Sequence, residues 1–212
     1  RSTVIPNFTD ISGRSPEPLD GREGVLYLGR LSKEKGVHHV LEIARLLPDV
    51  RFSFAGEGPL GEAVVQAERE LPNVSYRGFV GKVERSELLR KSAICVMPSL
   101  WEEPGPLACL EAMAEGTPVV CYVGGGLSEY VLNSGAGIAC ENRDPGALAA
   151  AISSLLRDPQ RWDLYSRGGL AGVQSRHSIS VYLDSLIEVY ESVVKNPMQT
   201  KLSPMRESGS PS

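Results

Sequence analysis

The stretch VLYLGRLSKEKGVHHVLEIARLL, residues 25–47, indicates how this chain folds. Its first four residues are apolar and end at Gly29, which is typical of a short buried strand. From Val37 onward, apolar residues recur three and four positions apart, as on one face of a helix. A short apolar strand followed by an amphipathic helix is the repeating unit of parallel α/β sheets. The stretch therefore predicts one such unit.

The same pattern of strand and then helix occurs six times between residues 25 and 156. Strands that alternate with helices form a parallel sheet, so we predict an α/β fold with a Rossmann-like, doubly wound, six-stranded parallel sheet in the order 3-2-1-4-5-6. Two further helices are predicted at about 160–168 and 179–194. The predicted strands are VLYLG, FSFAG, VSYRGF, ICVMPS, VVCYVG and AGIAC.

Three regions are predicted along the chain. Residues 24–194 hold the six units and the last two helices, so we expect one folded domain there. Residues 1–23 include VIPNFTD and a stretch rich in Gly, Pro and charge, and we interpret them as a hinge or linker from an N-terminal domain. Residues 195–212 lack hydrophobic periodicity, which predicts a disordered tail.

Composition excludes several classes of function. The net charge of −4 provides no basic field to attract nucleic acid or an anionic membrane. No apolar run approaches the roughly 20 residues that cross a bilayer. The four cysteines lie far apart without a C-x-x-C pair, so we interpret them as reduced residues in or near the core, which favours a cytoplasmic location. The adjacent residues His38 and His39 point about 100° apart on a helix, so no metal site is expected.

Two cations and two acids are the residues most indicative of function. Arg30 follows the first strand and Lys35 opens the first helix, at the edge where open parallel sheets bind ligands. Glu103 and Glu111 lie eight residues apart in WEEPGPLACLEAMAEGTPVV. Lys and Arg neutralise phosphate, and carboxylates accept hydrogen bonds from sugar hydroxyls, so together they suggest a sugar-nucleotide site. Taken alone, the two cations could belong to a solvated turn.

Helical spacing makes Glu111 unusual. It lies on a stripe formed by Leu107, Leu110 and Ala114, and an unpaired carboxylate in an apolar stripe is costly. A ribose diol would serve as its partner, and a structural Arg or a backbone group is the alternative. Pro106 suits the first position of this helix, so the amides that follow are expected to face a ligand.

Two glycine-rich segments also follow strands. Gly56, Gly58 and Gly61 satisfy G-x-G-x-x-G, but they follow the second strand, and no acidic residue occurs about 20 residues on to hold an adenosine ribose. Dinucleotide binding is therefore disfavoured. Residues 124–126 are three glycines that either present amides to a ligand or only make the turn into a helix.

These segments, in this order, resemble the carboxy-terminal, donor-binding half of glycosyltransferase family 4, the retaining transferases of GT-B fold. VIPNFTD, GRLSKEKG, AGEGPL, GFV, the E-x₇-E element and GTPVV match it from Val4 to about Val194. Gly105 and Pro106 depart from it, since the family often has Phe-Gly there.

The resemblance implies metal-independent transfer of a hexose from a nucleoside-diphosphate sugar, with no cofactor. Arg30, Lys35 and Glu103 are the implied catalytic residues: the cations support the diphosphate and Glu103 orients the hexose. Glu111 is implied to hold the ribose. The other implied donor-binding residues are Gly29 and Gly56 at the rim, Phe79 and Val80 at the base, and the backbone of Leu107 and Ala108 at the diphosphate. For Phe79, a core aromatic is the alternative.

The expected partners are the nucleotide-sugar donor and an N-terminal, acceptor-binding domain that is absent from this sequence. Peripheral membrane contact through that other half stays open. The isolated domain is expected to bind the donor without transferring sugar. The rival hypothesis is a non-catalytic nucleotide-sugar-binding module or partner subunit, and the intact Arg30, Lys35, Glu103 and Glu111 argue against it.

Overall fold

The computed structural model describes residues 3–10 and 18–195. In this part of the chain, six parallel strands form one sheet in the order β3-β2-β1-β4-β5-β6, which confirms the predicted topology. The strands are β1 (Val25–Leu28), β2 (Phe52–Ala55), β3 (Val74–Gly78), β4 (Ile94–Met97), β5 (Val119–Tyr122) and β6 (Gly137–Cys140). The helices are α1 (Val37–Leu46), α2 (Gly61–Glu70), α3 (Lys82–Lys91), α4 (Leu107–Ala114), α5 (Gly125–Ser134), α6 (Pro145–Leu156), α7 (Pro159–Arg176) and α8 (Ile179–Lys195).

The sheet is buried on both faces. In β1, Val25 and Tyr27 point into a cluster with α1 and α6, whereas Leu26 and Leu28 point into a second cluster with α4 and α5. This alternation explains why the strands are apolar throughout rather than at every second residue. Since helices cover both faces, the loops at the carboxyl ends of the strands are left to form a ligand site.

Two of these loops pack closely because of glycine. A Cβ atom on Gly56 would lie 1.9 Å from the carbonyl oxygen of Gly29, and one on Gly58 would lie 2.4 Å from that of Leu31. The loop after β2 therefore packs against the loop after β1, and Leu31 N–H donates to the Glu57 carbonyl at 2.9 Å. These glycines are explained by loop packing, without a dinucleotide.

Helix α7 is longer than the sequence pattern predicts. The sequence predicts a helix over about 160–168, and glycine is disfavoured in helix interiors. In the structure α7 continues to Arg176, and a Cβ on Gly168 would lie 2.3 Å from the Gly135 carbonyl oxygen. One on Gly172 would lie 2.3 Å from the Ser134 hydroxyl. These glycines let α7 approach the end of α5, so tertiary packing outweighs helix propensity.

Helix α8 matches the helix predicted at 179–194, and beyond its last residue the predicted tail lies outside the described residues. Of the predicted linker, residues 3–10 have no regular secondary structure, and residues 11–17 are not described. The four cysteines are unpaired, as predicted, and lie buried or half-buried at Cys95, Cys109, Cys121 and Cys140. Within the two described ranges, no helix is long and apolar enough to span a membrane.

Candidate functional site

A cavity of about 190 Å³ lies at the carboxyl edge of the sheet, between the loops after β1 and β4. The first turn of α4 closes one side of it. Six of the ten predicted donor-binding residues line this cavity: Gly29, Arg30, Lys35, Glu103, Leu107 and Ala108. The sheet therefore brings together residues that lie more than 60 positions apart in sequence.

Glu103 is the most constrained side chain of the cavity. Its Oε1 atom forms an ion pair with Lys35 Nζ. The same atom accepts a hydrogen bond from Ser99 Oγ at 2.5 Å and another from Trp101 Nε1 at 2.8 Å. Burial by itself would raise the pKa of Glu103, but these hydrogen bonds and the charge of Lys35 together outweigh it and lower the pKa. The carboxylate is consequently held in its ionised form, in one orientation.

The backbone of Glu103 is fixed as well. It forms a parallel bridge with Gly125, and Gly126 N–H donates to the Glu103 carbonyl at 2.6 Å. Gly124 N–H donates to Ser128 Oγ at 2.9 Å. Because two of the amides of 124–126 are bonded within the protein, the structure favours the turn-making interpretation of these glycines. They buttress the loop that presents Glu103.

Arg30 and Lys35 supply the positive charge of the cavity. Arg30 is exposed at the mouth, and its carbonyl accepts a hydrogen bond from the Tyr27 hydroxyl at 2.7 Å. The Lys35 side chain is 28% exposed, so its ammonium can reach a ligand while it pairs with Glu103. Since Lys and Glu neutralise each other, the excess positive charge among these three residues is that of Arg30.

The start of α4 differs by one residue from the prediction. Pro106 precedes the helix and Leu107 is its first residue, so Leu107 and Ala108 supply the first amides. Leu107 is 53% exposed, which contradicts the prediction that it belongs to a buried apolar stripe. It points to the cavity side, whereas Leu110 and Ala114 are buried as predicted.

Glu111 faces a second cavity, of about 140 Å³, further along α4. Its Oε1 atom forms an ion pair with Arg85 Nη2 at 3.0 Å. This is the structural Arg partner that the sequence left as an alternative to a ribose. Burial raises the pKa of Glu111, opposed by the nearby charges of Arg85 and Lys82. The two acids therefore lie in neighbouring but different environments, one saturated with donors and the other open to a single cation.

Three other predicted residues line neither cavity. Phe79 is 74% exposed, so its interpretation as a core aromatic is wrong, whereas Val80 is buried. Gly56 contacts the backbone of Gly29 instead of bordering the cavity. Phe79 follows β3 directly, which leaves its ring at the carboxyl edge where the cavities open.

Residues that sequence reasoning did not single out also shape the site. Trp101 and Ser99 hold Glu103, and Arg85 holds Glu111. Asn7, in the segment interpreted as a linker, donates from Nδ2 to the Gly105 carbonyl at 2.8 Å. A Cβ on Gly105 would lie 3.0 Å from the Tyr130 hydroxyl. The only available hint was the polar and aromatic residues beside Glu103; the partner of Asn7 lies 98 residues away.

Among the residues that the structure describes, no group of three His, Cys, Asp or Glu side chains is placed to hold a metal ion. His38 is exposed, whereas His39 is half-buried with Nδ1 at 2.7 Å from the Tyr122 hydroxyl. His39 therefore packs against β5 instead of facing solvent fully.

Comparison with known proteins gives one family and one fold. A family model described as "Glycosyl transferases group 1" matches residues 11–169. The glycogen synthase of Mycobacterium tuberculosis is 38% identical over 168 residues, which cover 74% of this chain and 40% of that protein. The solved structure of a sucrose-phosphate synthase from Thermosynechococcus elongatus superposes with a TM-score of 0.78 at 25% identity, covering 90% of this chain and 52% of its own.

A third likeness concerns the fold alone. HepE of Anabaena, solved in complex with UDP-glucose, has a TM-score of 0.72 and 23% identity, covering 82% of this chain and 50% of its own. The fold is that of the GT-B transferases among these neighbours. In each of these comparisons, the chain spans about half or less of the longer protein.

Proposed function

Because the chain belongs to the group 1 glycosyl transferases, we propose that it is the donor-binding half of a retaining, metal-independent hexosyltransferase. The donor would be a nucleoside-diphosphate sugar, bound in the cavity at the carboxyl edge of the sheet. The observation that carries the proposal is the constellation of Glu103, Lys35 and Arg30 at the first turn of α4. Charge and hydrogen-bonding groups there match a diphosphate next to a sugar.

The diphosphate fits the positive side of the cavity. Arg30 and Lys35 present donors to its oxygens, and Leu107 and Ala108, whose amides are the first of α4, line the same space. A helix amino-terminus adds partial positive charge there. These groups support the negative charge that accumulates on the diphosphate as it departs, which is the main source of catalysis that the site offers.

The hexose fits the side of Glu103. Carboxylate oxygens accept hydrogen bonds from hydroxyls, and this carboxylate is held ionised by its neighbours. In the proposed step, the bond between the anomeric carbon and the diphosphate oxygen breaks, and the diphosphate keeps the electron pair. The acceptor oxygen bonds to the same face of the sugar, and its proton passes to the departing diphosphate.

Two similarities support a nucleotide sugar as the ligand. HepE, which shares the fold, was solved with UDP-glucose. The glycogen synthase relative, at 38% identity, is named for a sugar-polymerising activity. We propose that an acceptor-binding half completes the cleft of the full enzyme, since the chain matches only 40% of that relative.

The test is titration calorimetry of the 212-residue chain with UDP-glucose, GDP-mannose and their parent diphosphates, in EDTA. Binding of at least one pair is expected without metal. Arg30→Ala is expected to weaken diphosphate binding about 10- to 100-fold, because one charge-assisted hydrogen bond contributes about 1.5–3 kcal/mol. The same substitution should weaken the binding of nucleoside monophosphates less, since they have fewer phosphate oxygens near Arg30.

Arg69→Ala provides the matched control. Arg69 is also an exposed arginine, but it lies in the last turn of α2, away from the carboxyl edge. Its removal should leave binding unchanged. Absence of binding in EDTA, restored by magnesium, would contradict the metal-independent proposal.

A further inference from the structure

Three hydrogen-bond donors converge on a single oxygen of the Glu103 carboxylate. Lys35, Ser99 and Trp101 all reach Oε1. Among the described residues, no hydrogen bond reaches Oε2. A carboxylate oxygen has two lone pairs in its plane, so three donors saturate Oε1. Oε2 is consequently the atom that a ligand in the cavity can engage.

Trp101 is not placed there by core packing. Trp101 is 51% exposed, which is unusual for an aromatic residue whose only role is structural. Its Nε1–H donates to Glu103, and Lys35 Nζ lies 5.5 Å from the centroid of its ring. The indole thus contacts both charged members of the ion pair, by its edge and by its face.

We propose that Trp101 is a positioning residue for the transfer reaction put forward above: it holds Glu103 so that Oε2 accepts a hydrogen bond from a hydroxyl of the donor hexose. This inference rests on the proposed function. Ser99 assists from the same loop, and Lys35 assists from the loop after β1. Trp101 need not touch the reacting atoms, because it acts through the orientation and ionisation of Glu103.

The charged surroundings of Glu103 make the effect measurable by pH. Lys35 and Arg30 come from the loop after β1, together with Glu34, while Tyr27 faces it from β1 itself and Glu102 precedes it in the chain. Only the ionised carboxylate offers Oε2 purely as an acceptor. Removal of the indole N–H takes away one stabilising hydrogen bond, so Glu103 should bind its proton at a higher pH.

The experiment compares Trp101→Phe with the wild-type chain, using UDP-glucose with UDP and GDP-mannose with GDP. The quantity measured is the dissociation constant of the sugar donor divided by that of its parent diphosphate. Trp101→Phe keeps an aromatic ring but has no donor. We expect this ratio to rise by about 10-fold, while diphosphate affinity and Tm stay close to wild type. As the pH falls, protonation of Glu103 should raise this ratio of dissociation constants in both proteins. In Trp101→Phe the rise should begin at a higher pH than in the wild type.

Trp162→Phe is the matched control. Trp162 also donates one indole hydrogen bond, to the Ala93 carbonyl at 2.6 Å, but it is fully buried and away from the cavity. Trp162→Phe should lower Tm without changing the ratio of dissociation constants or the pH dependence of that ratio. Ser99→Ala, which removes another donor to Oε1, should shift both in the same direction as Trp101→Phe.

The possible outcomes separate the two proposals. If the wild type binds neither diphosphates nor sugar donors, the proposed function fails, and the positioning role fails with it. If the wild type binds both ligands of a pair and Trp101→Phe leaves the ratio and pH profile unchanged, the positioning role alone is wrong. Equal loss for the diphosphate and the sugar donor would also overturn it, because the indole would then act on the whole cavity.

Discussion

Glu103 and Glu111 lie on either side of the start of α4 and have opposite electrostatic environments. Glu103 has three donors on one oxygen and a lowered pKa, whereas Glu111 has one cation and a raised pKa because of burial. The same residue type therefore has two different electrostatic environments at positions 103 and 111. In the proposed donor complex, Glu103 lies at the hexose and Glu111 at the ribose.

The role of Glu111 is testable with deoxyribose ligands. Glu111→Gln should weaken the binding of a nucleoside diphosphate by about 1.5–3 kcal/mol, since a hydrogen bond between its ribose and a charged group is lost. The 2′- or 3′-deoxy ligand that lacks the contacted hydroxyl should lose little from the same substitution. Calorimetry on the four combinations of protein and ligand gives the coupling energy.

Glu115→Gln is the control for this cycle. Glu115 lines the same cavity but accepts a hydrogen bond from Ser86. The binding free energy lost on Glu115→Gln should simply add to the loss caused by removing either ribose hydroxyl. Fully additive losses for Glu111→Gln as well would mean that Glu111 and the ribose never touch, and that Arg85 is its partner in the complex too.

At the scale of elements, the site depends on how closely loops and helix ends pack. The loop after β2 lies against the loop that bears Arg30, because Gly56 and Gly58 have no side chain. Helix α7 approaches the end of α5 through Gly168 and Gly172. In both places a neighbouring backbone or side chain leaves no room for a Cβ atom.

Substitution of Gly56 should therefore destabilise the fold. Gly56→Ala places a Cβ 1.9 Å from the Gly29 carbonyl oxygen, at a φ of +134°. We expect a loss of more than about 2 kcal/mol in the free energy of unfolding, because left-handed strain of about 1–2 kcal/mol is added to a steric overlap. Chemical denaturation measures the loss.

Gly135→Ala separates strain from overlap. Gly135 has a φ of +59°, and a Cβ there would meet nothing within 4 Å. It should cost only the strain, about 1 kcal/mol. An equal loss for the two substitutions would mean that the contact between the loops contributes nothing to stability.

At the scale of the whole molecule, helix α8 is exposed along its length. None of its residues is buried, and its apolar residues Ile179, Leu183 and Ile187 are each about half exposed. The chain also matches only 40% of its glycogen synthase relative. Both observations support the proposal that a second, acceptor-binding half packs against this domain in the full enzyme.

Binding and transfer should therefore separate. The 212-residue chain is expected to bind its donor but to transfer no sugar, because the proposed acceptor-binding half is the part that would orient an acceptor and close the cleft against water. The assay measures labelled product from the bound donor and a panel of candidate acceptors. An acceptor-binding half, fused or added as a separate chain, should restore transfer with the anomeric configuration retained.

Glu103→Gln in the completed enzyme is the control, since it should reduce transfer without preventing assembly. Rapid transfer by the 212-residue chain alone would refute the half-enzyme proposal. No transfer after completion, with donor binding intact, would favour the non-catalytic module instead.

The sequence alone predicted the six-stranded parallel sheet and its carboxyl edge as the place of the candidate site. Those features follow from local periodicity and from the chirality of parallel sheets, which apply wherever such a pattern occurs. It also identified Arg30, Lys35, Glu103 and Glu111 as charged residues at that edge.

Only the tertiary structure decided the partners of those residues. Lys35 pairs with Glu103 across 68 positions, and Asn7 contacts Gly105 across 98. It also decided that Leu107 is exposed and that α7 continues through its glycines. These outcomes depend on contacts between distant segments, because a side chain's burial and ionisation are set by neighbours that sequence spacing does not specify.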